Sequence, residues 1–244
     1  MPIVASELKA YASLNMPEAD TGTSGGGIDV ATRVEFTDMV ANDLVRVVST
    51  VADTATVSVT GRTAAGAIVT DAIVLNGATP VAGVTTFERI LKIVKSAATT
   101  GTITIERNTT PFDDIITLAP AVLRARRLFY DSASAAGATV RYEKIFLKNE
   151  NATLTLNAAA TKLTADPSAK VKIANAATVN DAVSVASRVT VPAGTFVDDN
   201  VSQAVPGNAL AAGAAIGVWV EMSLAGGNAP IKSTFTIELA GTTT

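Results

Sequence analysis

The sequence predicts an all-β protein of two β-sandwich domains, Ig-like or jelly-roll-like, with a flexible N-terminal arm. Three observations predict it. Apolar and polar residues alternate in short runs, turn residues punctuate those runs, and Ala, Thr, Val, Gly and Asn dominate the composition. Alternation with period 2 puts successive side chains on opposite faces of a sheet whose one face is buried. Short strands at this spacing, separated by Gly, Asn and Pro turns, belong to sandwiches or barrels.

The elements follow in order. Residues 6–13 open the chain with two options: Ser6 can start a helix, while Leu8, Ala10 and Ala12 alternate as in a strand. The Gly/Ser/Thr tract 21–27, preceded by Pro17, reads as a flexible arm or long loop. Strands are expected at 45–51, 56–60 and 69–75, with turns at Gly61 and Gly66 and at Asn76-Gly77. Residues 87–95 are balanced between helix and strand. Phe87, Ile90, Leu91 and Val94 share a helical face, and Glu88 with Lys92 makes an i,i+4 pair. A strand at 102–106 then gives way to a boundary between Pro111 and Pro120. Further strands are expected at 141–148, 153–156, 170–173, 218–224 and 234–239. Turns fall at Asn149-Glu150-Asn151, Asp166-Pro167, Pro206-Gly207-Asn208 and Gly226-Gly227-Asn228. The domains read as 1–41, an N-terminal strand and arm; 42–118, a first sandwich; and 119–244, a second. Pairing of residues 8–13 with the C-terminal half would make 42–118 an insertion, and two tandem domains fit the pattern equally well.

Composition bounds the chemistry. The 244 residues are 48% hydrophobic but only 5% aromatic, so the cores are built mainly from Ala, Val, Ile and Leu. A buried Val or Ile contributes about 1.5–3 kcal/mol and Ala much less, which makes oligomerisation the expected state. Histidine and cysteine are both absent, which removes the usual general base, the usual zinc ligands and every thiol nucleophile. The formal charge is −3, with basic and acidic residues mixed along the chain; no basic stripe proposes nucleic acid. The N-terminus lacks the basic start and apolar core of a secretory signal. The most apolar stretch, 209–220, is broken by Gly213 and Gly217 and is shorter than the roughly 20 residues of a membrane helix. Neither nucleic acid nor a membrane is expected as a partner.

Few residues stand out as sites. Arg124, Arg126 and Arg127 are the one basic cluster; on a strand, Arg124 and Arg126 share a face and could offer two forks to carboxylates of a neighbouring subunit. A sheet edge protected by charge is the plainer reading. Trp219, the sole tryptophan, could cap a subunit interface or pack between the domains. Asp113-Asp114 and Asp198-Asp199-Asn200 are oxygen-rich but lack the spaced ligands of a calcium loop, so turn and capping roles fit them better. Ser6 and Lys9 have Ser-x-x-Lys spacing without companion motifs. Asn108, Asn151 and Asn200 begin glycosylation-type triplets that the Asn/Thr-rich composition explains. Gly25-Gly26-Gly27 opens no phosphate loop, so it reads as linker. No catalytic, cofactor-binding or metal residue is expected, and no cofactor.

Two segments carry a resemblance. The first comprises Thr56-Val57-Ser58-Val59-Thr60-Gly61, Asp71-Ala72-Ile73-Val74-Leu75-Asn76-Gly77, Thr86-Phe87 and Gly101-Thr102-Ile103-Thr104-Ile105. It resembles a module of tailed-phage virion proteins. The second, Arg141-Tyr142-Glu143-Lys144-Ile145-Phe146-Leu147-Lys148-Asn149-Glu150-Asn151 followed by Thr153-Leu154-Thr155-Leu156, is similar to segments of phage head and head-proximal proteins. These include Mu-like ones that open with a stretch like Ala5-Ser6-Glu7-Leu8-Lys9. The resemblance implies a bacteriophage structural protein, assembled in the bacterial cytoplasm and located in the virion. The leading expectation is a capsid decoration or cement protein that binds itself and other virion proteins such as the major capsid protein. A tail, collar or baseplate component, or a carbohydrate-binding adhesin-like module, is the alternative, and an enzyme is the weakest reading. The resemblance supplies no site residues.

Overall fold

Where β-branched residues alternate with small polar ones, the chain pairs into sheets, because branched side chains pack well on a pleated surface. The structure is a computed structural model that describes residues 2–130, 138–226 and 234–243. Strands β1 (Leu8–Asn15) and β2 (Ser24–Arg33) come first. They are followed by β3 (Asp43–Ser49), β4 (Thr56–Arg62), β5 (Ile68–Val74), β6 (Val81–Phe87), β7 (Arg89–Lys95), β8 (Ile103–Arg107), β9 (Asp114–Leu118) and β10 (Arg124–Arg126). The rest are β11 (Thr139–Asn149), β12 (Leu156–Ala165), β13 (Val171–Val179), β14 (Ser184–Val185), β15 (Ser202–Ala204), β16 (Ala209–Leu210), β17 (Ala215–Leu224) and β18 (Thr236–Thr242). Among the described residues the only helical elements are two 3-10 turns, Ala5–Glu7 and Pro206–Asn208. The all-β expectation therefore holds.

The chain divides into two compact units, Met1–Asp29 with Asp131–Thr244, and Val30–Tyr130. In the first, the strand order is β13-β17-β11-β1 and then the start of β2, on which β14 also pairs. Strand β1 runs antiparallel to β11, with Tyr11 opposite Phe146. A smaller sheet centres on β12, which pairs with β15, β16 and β18. In the second unit the end of β2 is followed by β10-β7-β4-β5, and a separate sheet runs β6-β3-β8-β9.

The second unit shows how alternation becomes a core. Every other residue of β3, β4 and β8 turns inward, so Val45, Val47, Val57, Val59, Ile103 and Ile105 join Ile93 of β7 in one fully buried cluster. Phe36 and Met39 before residue 42, and Val122 and Ala125 after 118, pack into the same cluster. This core therefore reaches beyond the expected 42–118 span. At one edge Asp71 of β5 accepts the N–H groups of Val84 and Thr85 on β6, at 2.7 and 2.9 Å. That fastens one sheet's edge to the other's.

Several local expectations change. Residues 89–95 are strand, since Ile90 and Ile93 are needed inside and β7 is paired on both sides, by β4 and β10. Gly61 is an inward position of β4 rather than a turn; a Cβ there would lie 2.4 Å from the Phe87 ring. Thr153 to Thr155 are not strand, because the Asn151 side chain takes the N–H groups of Thr153 and Leu154 at 3.0 and 2.8 Å. The ladder starts only at Leu156. The 21–27 tract is no free arm either: Ser24 to Gly27 lie in β2, with Ser24, Gly25 and Gly26 buried. Beyond Gly226, the Gly226-Gly227-Asn228 turn lies outside the described residues.

Candidate functional site

The most densely organised chemistry in the first unit lies on β11, where the sequence Arg141-Tyr142-Glu143-Lys144 places three charges in mid-sheet. On one face Tyr142, Lys144 and Phe146 point the same way, and β17 sets Trp219 opposite Lys144 and Gly217 opposite Phe146. Lys144 is fully buried. Its Nζ donates to the carbonyls of Gly26 and Val183, each at 3.2 Å, and contacts the Asp181 carboxylate. The rings of Phe146 and Trp219 lie 5.0 and 5.4 Å from Nζ, close enough for cation–π attraction. Burial pulls the Lys144 ammonium below the ordinary lysine range, against the opposing hydrogen bond and charge of Asp181.

Glycines make this chamber possible. A Cβ on Gly217 would lie 2.6 Å from the Lys144 stem, and one on Gly25 would lie 2.5 Å from the Trp219 ring. Gly25 and Gly26 both adopt positive φ, +95° and +90°, which a residue with a Cβ rarely tolerates. The backbone thus lies flat over the indole and turns the Gly26 carbonyl to the ammonium. Gly26 N–H in turn donates to Val183 O at 2.9 Å, so both carbonyls around Lys144 are fixed.

The opposite face of β11 is equally charged. Glu143 and Arg188, 0% and 1% exposed in their side chains, form a 2.9 Å ion pair. Arg141 holds Asp20 through a fork, Nε to Oδ1 at 2.6 Å and Nη2 to Oδ2 at 2.8 Å. That hydrogen bonding, with the charges of Arg141 and Arg188, outweighs burial and keeps the Asp20 carboxyl below the usual carboxylate range. Tyr142 N–H donates to Arg188 O, and Arg188 N–H to Asp20 O. Charges and backbone bonds together lash residues 20 and 181–188 to the strand.

The residues singled out in the sequence are placed differently. Arg124 is exposed on β10, whereas Arg126 is buried with its guanidinium 4.9 Å from the Tyr130 ring. Arg127 donates from Nε to Ile90 O at 2.6 Å and pairs with Asp38. Two of the three arginines thus serve the interior of the second unit, and the outward pair of forks is not formed. Trp219 is 2% exposed and packs with Tyr142 and Ala174, which makes it core of the first unit rather than an interface cap. Asp113 pairs with Arg107 at 2.8 Å and Asp198 with Lys172 at 3.3 Å. Among the described residues no group of three acids could hold a metal ion.

Sequence reading missed Lys144, Asp181, Glu143 and Arg188. One signal was there: the inward positions 142, 144 and 146 read Tyr, Lys, Phe, a cation between aromatics where alternation asks for an apolar side chain. No protein-family model matches the chain, no curated protein matches it, and no solved structure does.

Proposed function

We propose that this protein is a structural component of a tailed-phage particle, a capsid decoration or cement protein, and that its units are β-sandwiches. In this reading it binds copies of itself and the major capsid protein, stiffening the shell by bridging subunits. The observation that carries the reading is the outer surface of β5 and β6, which bear part of the phage-module likeness. There Ile68, Val74 and Val84 stand exposed, Val84 to 88%. Large apolar side chains left exposed on strands at sheet margins favour burial against another protein. The interior charges support the same reading, because Lys144, Glu143, Arg188 and Arg141 are turned to this chain's own atoms and serve to hold loops.

Phage particles purified by density gradient from the host of this gene provide the test. Peptides of this protein should be found with the heads in many copies, and particles from a strain lacking the gene should release their DNA at lower temperature. Peptides found with isolated tails would move the protein to a tail, collar or baseplate role. Their absence from the particles would overturn the reading.

A further inference from the structure

We propose that Lys144 and Asp181 condense into an intramolecular amide, tying β11 covalently to the segment that carries Asp181. This inference rests on the Lys144 chamber alone and is independent of the virion reading.

The geometry supplies each part of the reaction. Lys144 has three donor directions, and two are taken by the carbonyls of Gly26 and Val183, both at 3.2 Å. The third faces the Asp181 carboxylate. Once the proton in that third direction moves to Asp181 Oδ2, the neutral amine keeps its two N–H bonds to the carbonyls. Its lone pair is then aimed at the acid. Asp181 Oδ1 meanwhile accepts the Val183 N–H at 3.2 Å, a donor set where negative charge develops when Nζ attacks Cγ. The Nζ–Cγ bond forms, the Cγ–Oδ2 bond breaks, and Oδ2 departs with its own proton and a second one from Nζ, as one water. No oxidant, reductant or co-substrate is needed, and Lys144 ends as an amide N–H.

The surroundings favour the products. A buried ammonium and carboxylate carry a desolvation penalty that a neutral amide avoids, and burial already weakens the ammonium form of Lys144. Holding the two groups together substitutes for concentration, with effective molarities of about 10⁵–10⁸ M for well-oriented partners. Lys144 is fully buried, and Asp181 keeps 9% side-chain exposure through which the released water can leave. The chain has no cysteine, so this is a covalent staple it can form without a disulfide.

The test is an intact-mass measurement of the full chain under denaturing conditions. The protein should weigh one water less than its sequence. Trypsin should fail to cut after Lys144 and should yield a branched product joining the peptide 142–148 to the peptide 173–188. Lys144→Met and Asp181→Ala should each show their full sequence mass, a reading that does not require either variant to fold. Wild-type protein at full mass, with normal cleavage after Lys144, overturns the proposal.

Discussion

The two units solve the same problem, an aromatic-poor β core, in different ways. In Val30–Tyr130 the strand interiors are mainly apolar; apart from Asp71 in the middle of β5, buried charges sit at or near strand ends. Lys95, the last residue of β7, donates to Thr99 Oγ1, Ala119 O and Pro120 O at 2.9–3.0 Å. Asp53, beyond the end of β3, accepts from Ser49 Oγ and from the N–H groups of Thr100 and Gly101 at 2.7–2.9 Å. In the other unit the charges occupy the middle of the sheet, on β11. An apolar core is non-directional and tolerates repacking. A buried charge accepts few partners, so it dictates which loop lies on it. The first unit thereby specifies where residues 20 and 181–188 dock, at the cost of desolvating several ions.

The sharpest way to break this comparison is to remove one charge of the buried pair. Glu143→Gln should cost the first unit about 3–5 kcal/mol, because the Arg188 charge stays buried without its counter-charge. Urea unfolding followed by Trp219 fluorescence reads that unit, which holds the only tryptophan. The double variant Glu143→Leu with Arg188→Met should cost less than the single one; strict additivity would show that the charges are not coupled. Next, Ile105→Ala should cost the second unit about 2–5 kcal/mol, measured as faster amide exchange in β4 and β8. The Trp219 transition should stay in place; a shift of the same size there would erase the distinction between the units.

Acid comes third. The carboxyls of Asp20, Asp53 and Asp166 are all held below their ordinary 3.8. For Asp20 the leading cause is the Arg141 hydrogen bond, and for Asp53 the Thr100 N–H. For Asp166 burial pushes upward, but the Ser168 hydroxyl and the N–H groups of Val171, Lys170 and Ser168 outweigh it. A folded value below the unfolded one gives stability that is complete above 3.8 and is lost as pH falls through the folded values. Two of the three belong to the first unit, so its unfolding midpoint should drop more steeply below about pH 4. Asp20→Asn should flatten that slope. The smallest effect is expected at the exposed pair of Lys172 and Asp198, where Lys172→Ala should change stability by less than about 1 kcal/mol.

Much of the second unit was legible. Its strands follow alternation so regularly that 45–51, 56–60, 69–75 and 102–106 fall within a few residues of β3, β4, β5 and β8. Most inward side chains there are apolar, with Ser49 and Asp71 as exceptions, and period alone then fixes the face. The first unit was harder to read for the opposite reason. Strand β12 carries Ala158, Ala159 and Ala160 in a row, too uniform to give a period, and the glycines of β2 looked like linker. What makes Gly25 structural is the indole beneath it, which lies nearly two hundred residues further along the chain, while Gly26 is held against Asn15.

By itself the sequence determined the all-β class and the turn at Gly66, and it ruled out disulfides, because these depend on local alternation, backbone freedom and residue inventory. Only the tertiary structure decided that Trp219 and two of the arginines turn inward, and that Lys144 meets Asp181. Those outcomes depend on which distant backbone closes over each side chain, and the physical cause is that a charge or ring is buried only when a partner from elsewhere in the chain satisfies it.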